Sequence, residues 1–305
     1  MKPQVKRQHH VWRRYFLPWA NDKKLYAYID KKVCRPNAIN ISVKSYMYEL
    51  KIPNKREVEL IKILFLNERN KNGIVVENNK KILDCYKMAS LLKQYGKKNE
   101  IVDLYLKNSI EGSYEKLESD FDVIFNKMIE KDLSFYENTQ DRIVFYSWLS
   151  TQSLRTFGVR QKIIERLNKN NDVDVSNSWA IISILLASEL SLSLFLEKPK
   201  RPIFLIENKT DITFLTSDQP IINLDARDDG YSPAHLSWYY PLGPRLALLF
   251  PEPGKHEELY GKVLDSDQVD YLNKRVVDLS HAQFYADSQR MIERYVENDE
   301  KFSFN

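Results

Sequence analysis

Apolar residues follow different spacings along the chain, and these spacings divide it into regions. Residues 25–30 (LYAYID) and 39–48 (INISVKSYMY) are rich in Tyr and Ile, which predicts two strands joined as a hairpin. After Pro53, apolar residues recur at the spacing of an α-helix in six segments: 57–66, 80–95, 99–108, 113–131, 139–168 and 178–196. We therefore predict strands followed by a long helical region.

The pattern changes again at Pro199, after which the apolar runs become short. The segment that follows is predicted to form a hairpin turning at Asn208–Thr210, with a short strand after Pro220. Two further strands and two closing helices are predicted at 238–242 (WYYPL), 245–251 (RLALLFP), 266–279 and 287–297.

This order of elements predicts an α+β fold. We expect one composite domain over 1–305, with N-terminal strands in 1–50, a helical region in 55–197, and a sheet plus C-terminal helices in 200–305. The N-terminal strands are expected to join the later antiparallel or mixed sheet around the large helical middle.

Positive charge is concentrated at the N-terminus. The formal net charge is +4, but residues 1–35 contain ten Lys and Arg against two Asp, a local net charge of +8 that leaves −4 for the remainder. Such a field attracts phosphates or an acidic protein partner. Nucleic acid is therefore one candidate partner, and a merely solvated basic surface is the alternative.

The two cysteines, Cys34 and Cys85, are too few for a disulfide framework and match no zinc spacing. His235, His256 and His281 likewise lack the spacing of a metal cage. The chain contains no P-loop, no dinucleotide-binding glycine pattern and no HExxH motif, which argues against an ATPase, a dehydrogenase and a zinc protease.

The most apolar stretch, 179–196, is interrupted by several serines and by Glu189, which favours a buried helix over a membrane span. Charged residues fill the N-terminus where a signal peptide would need an apolar run. We therefore expect a cytoplasmic protein without membrane contact.

Four separated segments resemble one bacterial family, domain of unknown function 4238. They are QHHV at 8–11, QSLRT at 152–156, FLTSDQP at 214–220 and YPLGPRLAL at 240–248. KLYAYID at 24–30 and Leu272–Asn273 agree with it too. His10 and Trp12 stand where the family usually has an aromatic residue and a proline. The resemblance implies a shared fold and a shared set of polar residues, but no known reaction.

Three residues of these segments are candidates for catalysis. His9 could act as a general acid or base, or pack within the core. Asp218 follows an apolar strand and could orient a histidine, bind a divalent metal or close a turn. Arg155 could clamp a phosphate through its planar guanidinium group, or brace Asp218.

Five further polar residues are candidates for substrate binding: Gln8, Gln152, Thr216, Ser217 and Asn273. Gln152 and Arg155 are three residues apart and share a helix face. Asn273, on a late helix, could complete a polar cluster or cap neighbouring backbone. Ser217 lies in no GxSxG motif, which argues against a serine nucleophile.

Two functions fit these residues. The first is a nucleic-acid-cleaving effector of a phage-defence or toxin system, with His9 as acid or base, Asp218 as orienter or metal ligand, and Arg155 stabilising phosphate charge. The second is a non-catalytic module that binds or senses a ligand or nucleic acid. Catalysis requires the three side chains to converge on space that solvent can reach.

Overall fold

The computed structural model describes residues 7–67, 72–95, 100–197, 199–227, 233–261 and 263–296. Its helices are α1 (Lys55–Phe65), α2 (Gly73–Tyr95), α3 (Glu100–Ile129), α4 (Thr139–Leu154), α5 (Phe157–Asn171), α6 (Trp179–Leu196), α7 (Ser266–Leu279) and α8 (Gln289–Val296). Its strands are β1 (Arg7–His9), β2 (Tyr26–Ile29), β3 (Lys32–Cys34), β4 (Val43–Ser45), β5 (Phe204–Asn208), β6 (Thr216–Ser217), β7 (Ile222–Asn223), β8 (Trp238–Gly243), β9 (Leu246–Phe250), β10 (Val263–Leu264) and β11 (Gln283–Ala286). The fold is α+β, as the sequence predicted.

The described strands form three sheets. A five-stranded sheet has the order β10-β5-β9-β8-β7, a four-stranded sheet has the order β3-β2-β11-β6, and β1 pairs with β4. The five-stranded sheet is mixed, because β10 runs parallel to β5 while its other pairs are antiparallel. N-terminal β2 lies antiparallel to β11, so the N-terminal strands do join strands from the end of the chain.

Both predicted hairpins were wrong. β2 turns into β3 at Asp30 and Lys31, whose φ angles of 50° and 60° suit a tight two-residue turn, and β4 pairs with β1 instead. Asn208 does close a local turn, since its side chain accepts from the Thr210 backbone amide at 3.0 Å. However, β5 pairs with β9 and β10, and the chain continues into the other sheet.

The boundaries of the helices also differ from the prediction. Segments 99–108 and 113–131 belong to one helix, α3, whereas 139–168 is broken between α4 and α5 at Arg155 and Thr156. The break matters for the site, because it places Arg155 at the C-terminal end of α4.

Helix α6 packs along α4 and buries Trp179, Ile182 and Leu185. In the described part of the chain, the segment Ser176–Leu196 is long and apolar enough to cross a membrane, judged by length and composition alone. Its buried face makes it a core helix of the helical region in this fold.

Aromatic side chains hold the N-terminal segment against both the helical region and the five-stranded sheet. Tyr15 stacks on Tyr240 of β8 with ring centroids 5.0 Å apart, and Trp12 meets Trp148 of α4 edge-on at 5.2 Å. The Trp19 indole donates to the Phe214 carbonyl at 2.8 Å. Residues 11–19 therefore have a fixed path between the helices and the sheet, and this path positions the preceding histidines.

Candidate functional site

The Gln152 side chain holds the N-terminal segment against α4 by bonding to the backbone of that segment. Its amide nitrogen donates to the His10 carbonyl at 3.0 Å, and its Oε1 accepts from the Trp12 amide at 3.3 Å. The side chain is fully buried, so both bonds are made away from water. Gln152 thereby fixes the segment that carries the histidines.

The Gln8 side chain of β1 also binds the backbone of another segment, at Tyr48. Its Oε1 accepts from the Tyr48 amide at 2.8 Å, and the Tyr48 hydroxyl donates to the carbonyls of His9 and Arg155 at 3.3 and 3.4 Å. The Gln8 amide nitrogen is buried and has no hydrogen-bond partner. The Gln8 side chain therefore carries an unused NH2 group, and Gln8 precedes the two histidines in the chain.

Arg155 is 1% exposed and lies over the rings of Tyr114 and Trp148, at 5.2 and 5.3 Å from their centroids. Its guanidinium donates to Gln152 Oε1 and, at 2.8 Å, to Glu118 of α3. Burial by itself lowers the pKa of Arg155, but the Glu118 carboxylate raises it above its ordinary value. The partner of Arg155 is thus Glu118 and not Asp218.

Glu111 and Glu118 of α3 complete this arrangement, and neither was a candidate from the sequence. They are seven residues apart on one helix face, with Tyr114 between them. Burial raises the pKa of Glu111 to about 7, while Arg155 opposes the shift. One Glu111 oxygen, Oε2, is buried without a hydrogen-bond partner. A spacing of seven on an amphipathic helix was the available signal, but charges on helices usually face solvent.

His9 is half-buried and surrounded by positive charge. Burial, followed by Arg13, Arg7 and Arg155, lowers the pKa of His9 to about 4, against a hydrogen bond to the Ile41 backbone that raises it. Its Nδ1 is covered by neighbouring atoms and has no hydrogen-bond partner. The imidazole is therefore neutral near pH 7 and retains one unused nitrogen.

His10 is more deeply buried and also lacks a partner at Nδ1. Burial, followed by Arg155, Lys44, His9 and His281, lowers the pKa of His10 to about 3. We call the set Gln8, His9, His10, Glu111, Glu118, Gln152 and Arg155 the N-terminal cluster.

Asp218 binds the backbone between α7 and β11. Its two carboxylate oxygens accept from the amides of His281 and Ala282, each at 2.9 Å, and its own amide donates to the Gln283 carbonyl. Burial raises the pKa of Asp218, while the amide bonds oppose that shift. Among the described residues, no hydrogen bond or ion pair joins Asp218 to His9.

Thr216, Ser217 and Asn273 also bind their neighbours. Thr216 Oγ1 shares a 2.6 Å hydrogen bond with the Tyr15 hydroxyl, and Ser217 Oγ bonds both backbone groups of Gln219. Asn273 accepts from the Leu215 amide and donates to the Thr213 carbonyl, both at 2.8 Å. We call Thr216, Ser217, Asp218 and Asn273 the strand-turn cluster.

The structure therefore places the candidates in two groups. Four of them, Gln8, His9, Gln152 and Arg155, lie in the N-terminal cluster, and four lie in the strand-turn cluster. The residues that follow Arg155 and Asp218 in the chain link the two groups, because the Thr156 hydroxyl donates to the Gln219 side chain at 2.8 Å. The predicted catalytic set thus spans both groups, and Arg155 and Asp218 are both engaged and buried. Within the described part of the chain, no three His, Cys, Asp or Glu side chains are grouped so as to hold a metal ion.

These features define an α+β protein in which a histidine-bearing N-terminal segment is locked between a helical region and a sheet. Residues 7–290 match the family model described as a protein of unknown function, DUF4238, and the chain belongs to that family. No curated protein and no solved structure matches the chain.

Proposed function

We propose that this protein binds a phosphate-bearing polymer, a nucleic acid, on the surface around His9. The observation that carries the proposal is the neutral His9 imidazole, which lies among Arg7, Arg13 and Arg155 with an unused Nδ1. Burial lowers the pKa of His9 most, and the positive charge of the neighbouring arginines lowers it further. The same positive charge attracts an anion.

Exposed cations give the ligand a surface to approach. Arg7 and Arg13 are exposed, and in the described part of the chain the Arg13 guanidinium has neither an ion pair nor a hydrogen bond. Lys44 is exposed on β4 opposite Gln8, with its ammonium 4.5 Å from the Phe157 ring centroid. Positively charged side chains on a short ribbon are suited to phosphate contacts, which are largely independent of sequence.

Protonation of His9 would couple to binding. Because Nδ1 of a neutral imidazole accepts when the other nitrogen carries the proton, it can donate to a phosphate only after the ring is protonated. Ligand binding would therefore raise the pKa of His9, and the His9 imidazole would take up a proton from solution. Since Nδ1 is covered, the exposed side chains around it must move onto the ligand during binding.

Cleavage of the nucleic acid, as by an effector of a phage-defence or toxin system, is the second candidate function. The same unused nitrogen favours it, because a neutral imidazole can act as a general base. Binding ranks first for two reasons. Arg155 is already paired with Glu118, and Asp218 is held by two backbone amides.

We expect either activity in the cytoplasm, where the exposed free thiol of Cys34 would stay reduced.

The test of binding is fluorescence anisotropy with labelled single-stranded RNA, single-stranded DNA and duplex DNA over a range of salt concentrations. We expect Arg13→Gln to weaken binding several-fold and to reduce the salt dependence by about one released counterion. Lys116→Gln, on an exposed helix face, is the matched control. The proposal fails if none of the three polymers binds, or if both variants bind as wild type does.

The test of cleavage uses the same polymers with Mg²⁺, with Mn²⁺ and with a chelator, beside His9→Ala. Cleavage that His9→Ala abolishes supports the second candidate. Binding without cleavage, or cleavage that His9→Ala leaves unchanged, removes His9 as a catalytic residue.

A further inference from the structure

A second surface, whose lining residues do not include His9, forms an open groove with a volume of 970 Å³. One wall is the 3-10 turn Arg13–Trp19, another is the C-terminal end of α3, and the third is the β8–β9 connection. Pro18 packs closely on Gly243 where the walls meet, because a Cβ at Gly243 would lie only 3.1 Å from Pro18 Cβ. The groove is thus built by close packing of three separate elements.

The floor of the groove is aliphatic. Leu17 and Ile129 are 50% and 41% exposed, and Pro18 is exposed beside Leu17. Leu242 and Leu246 also line the groove but are buried beneath this surface. Single exposed apolar residues are ordinary, but a contiguous patch in a concave site marks an interaction surface. Phe125, which also lines the groove, is only 3% exposed and offers no ring face for stacking.

The rim of the groove is cationic. Arg14 is paired with Asp122, and Lys131 with Glu207 at 2.7 Å. Lys209 and Arg245 are exposed and form no salt bridge among the described residues, although Arg245 donates to the Thr210 carbonyl. Glu207 also lines the groove and interacts with both Lys131 and Lys209, so the lining carries more cations than carboxylates beside an aliphatic floor.

We propose that this groove binds an acidic segment of a protein partner, with aliphatic side chains on the floor and carboxylates at Lys209 and Arg245. Complementary charge on the rim and an apolar centre are the usual composition of a protein interface. A nucleic acid would instead use exposed aromatic faces for its bases, and the groove offers none among its lining residues.

The probe is a fluorescein-labelled synthetic peptide of about twelve residues, with three leucines spaced about four residues apart among aspartates and glutamates. We expect saturable binding that weakens as salt rises. Lys209→Glu should weaken the affinity at least about tenfold, and Leu17→Ser about fivefold. Lys116→Glu and Ile63→Ser, which change exposed residues outside the groove, should leave the affinity unchanged.

Four results would overturn the proposal. The first is no saturable binding of the peptide at millimolar concentration. The second is binding that neither groove variant changes. The third is that Lys209→Glu weakens the binding of labelled RNA but not the binding of the peptide, which would assign the groove to nucleic acid. The fourth is self-association that Lys209→Glu abolishes and the peptide does not compete with, which would assign it to a second copy of the chain.

Discussion

The two clusters of candidate residues differ in whether their polar atoms have partners. In the strand-turn cluster, both oxygens of Asp218 and both amide atoms of Asn273 are bonded, mostly to backbone. In the N-terminal cluster, four buried polar atoms have none: Gln8 Nε2, His9 Nδ1, His10 Nδ1 and Glu111 Oε2. The hydrogen bonds of the first cluster are typical of a structural role, whereas the second cluster has four members with an unused buried polar atom.

This difference has an energetic meaning. Each buried polar atom without a partner costs about 1–3 kcal/mol of stability. A fold that keeps several of them together loses stability that it could recover by apolar substitution. Such losses concentrate at functional sites, and this motivates the assignment of ligand binding to the N-terminal cluster.

The largest expected effect comes from Arg155→Met, which tests whether the N-terminal cluster also holds the fold together. The change removes the bonds to Gln152 and Glu118 and leaves Glu118 without its cation. We expect a loss of about 3 kcal/mol in the free energy of unfolding, measured with urea. Arg155→Lys should lose less, and a loss below about 1 kcal/mol for Arg155→Met would contradict a structural role.

Asn273→Ala should have the next largest effect, because it removes the bonds to Leu215 and Thr213 and leaves buried backbone groups unpaired. We expect a destabilisation of about 2 kcal/mol with RNA affinity of the folded protein unchanged within about twofold. If Asn273→Ala kept the free energy of unfolding of wild type but lost most of its RNA affinity, the ligand site would lie in the strand-turn cluster instead.

Glu111→Gln should change how stability depends on pH. The folded-state pKa of about 7 lies above the ordinary value of 4.5, so the folded protein holds this proton more tightly than the unfolded chain does. The corresponding stability is fully present below pH 4.5 and is lost as the pH rises through 7. Glu111→Gln should therefore be more stable than wild type by about 2 kcal/mol at pH 8, after allowance for partial exposure.

Thermal or urea unfolding at pH 5 and pH 8 gives the comparison for Glu111→Gln. Glu165→Gln, which changes an exposed glutamate on α5, is the control and should show no such gain. A Glu111→Gln protein that is less stable than wild type at pH 8 would mean that the ionised carboxylate is favourable there.

The smallest effect is expected from Lys44→Gln on the exposed face of β4. It should weaken RNA binding by about twofold to threefold and change the free energy of unfolding by less than about 0.5 kcal/mol. Anisotropy at two salt concentrations measures the first quantity. An unchanged affinity would exclude β4 from the binding surface and narrow it to the residues around Arg13.

The sequence predicted the elements whose apolar pattern is long and unambiguous. Helices α6 and α7 and strands β8 and β9 lie where periodicity placed them, because continuous burial leaves a strong signal. It did not predict the hairpin at Asp30–Lys31 or the strand β11. Left-handed turns without glycine and strands of three or four residues carry little local signal.

The grouping of the candidate residues was predictable only in part, for a related reason. His9, Gln152 and Arg155 were found because the resemblance to the family pointed to them. Glu111 and Glu118 were not found, because their importance depends on a guanidinium 37 residues further along the chain from Glu118. Local spacing cannot show which charged residue of a long helix will be covered by another segment.

The most direct test of the central claim is the pH dependence of RNA affinity in wild type, His9→Gln and Asn273→Ala. If the N-terminal cluster is the ligand site, wild-type affinity rises as the pH falls from 7 towards 5, because binding takes up a proton at His9. His9→Gln should bind more weakly and lose this dependence, while Asn273→Ala should keep it. The same pH dependence in His9→Gln as in wild type would contradict the account.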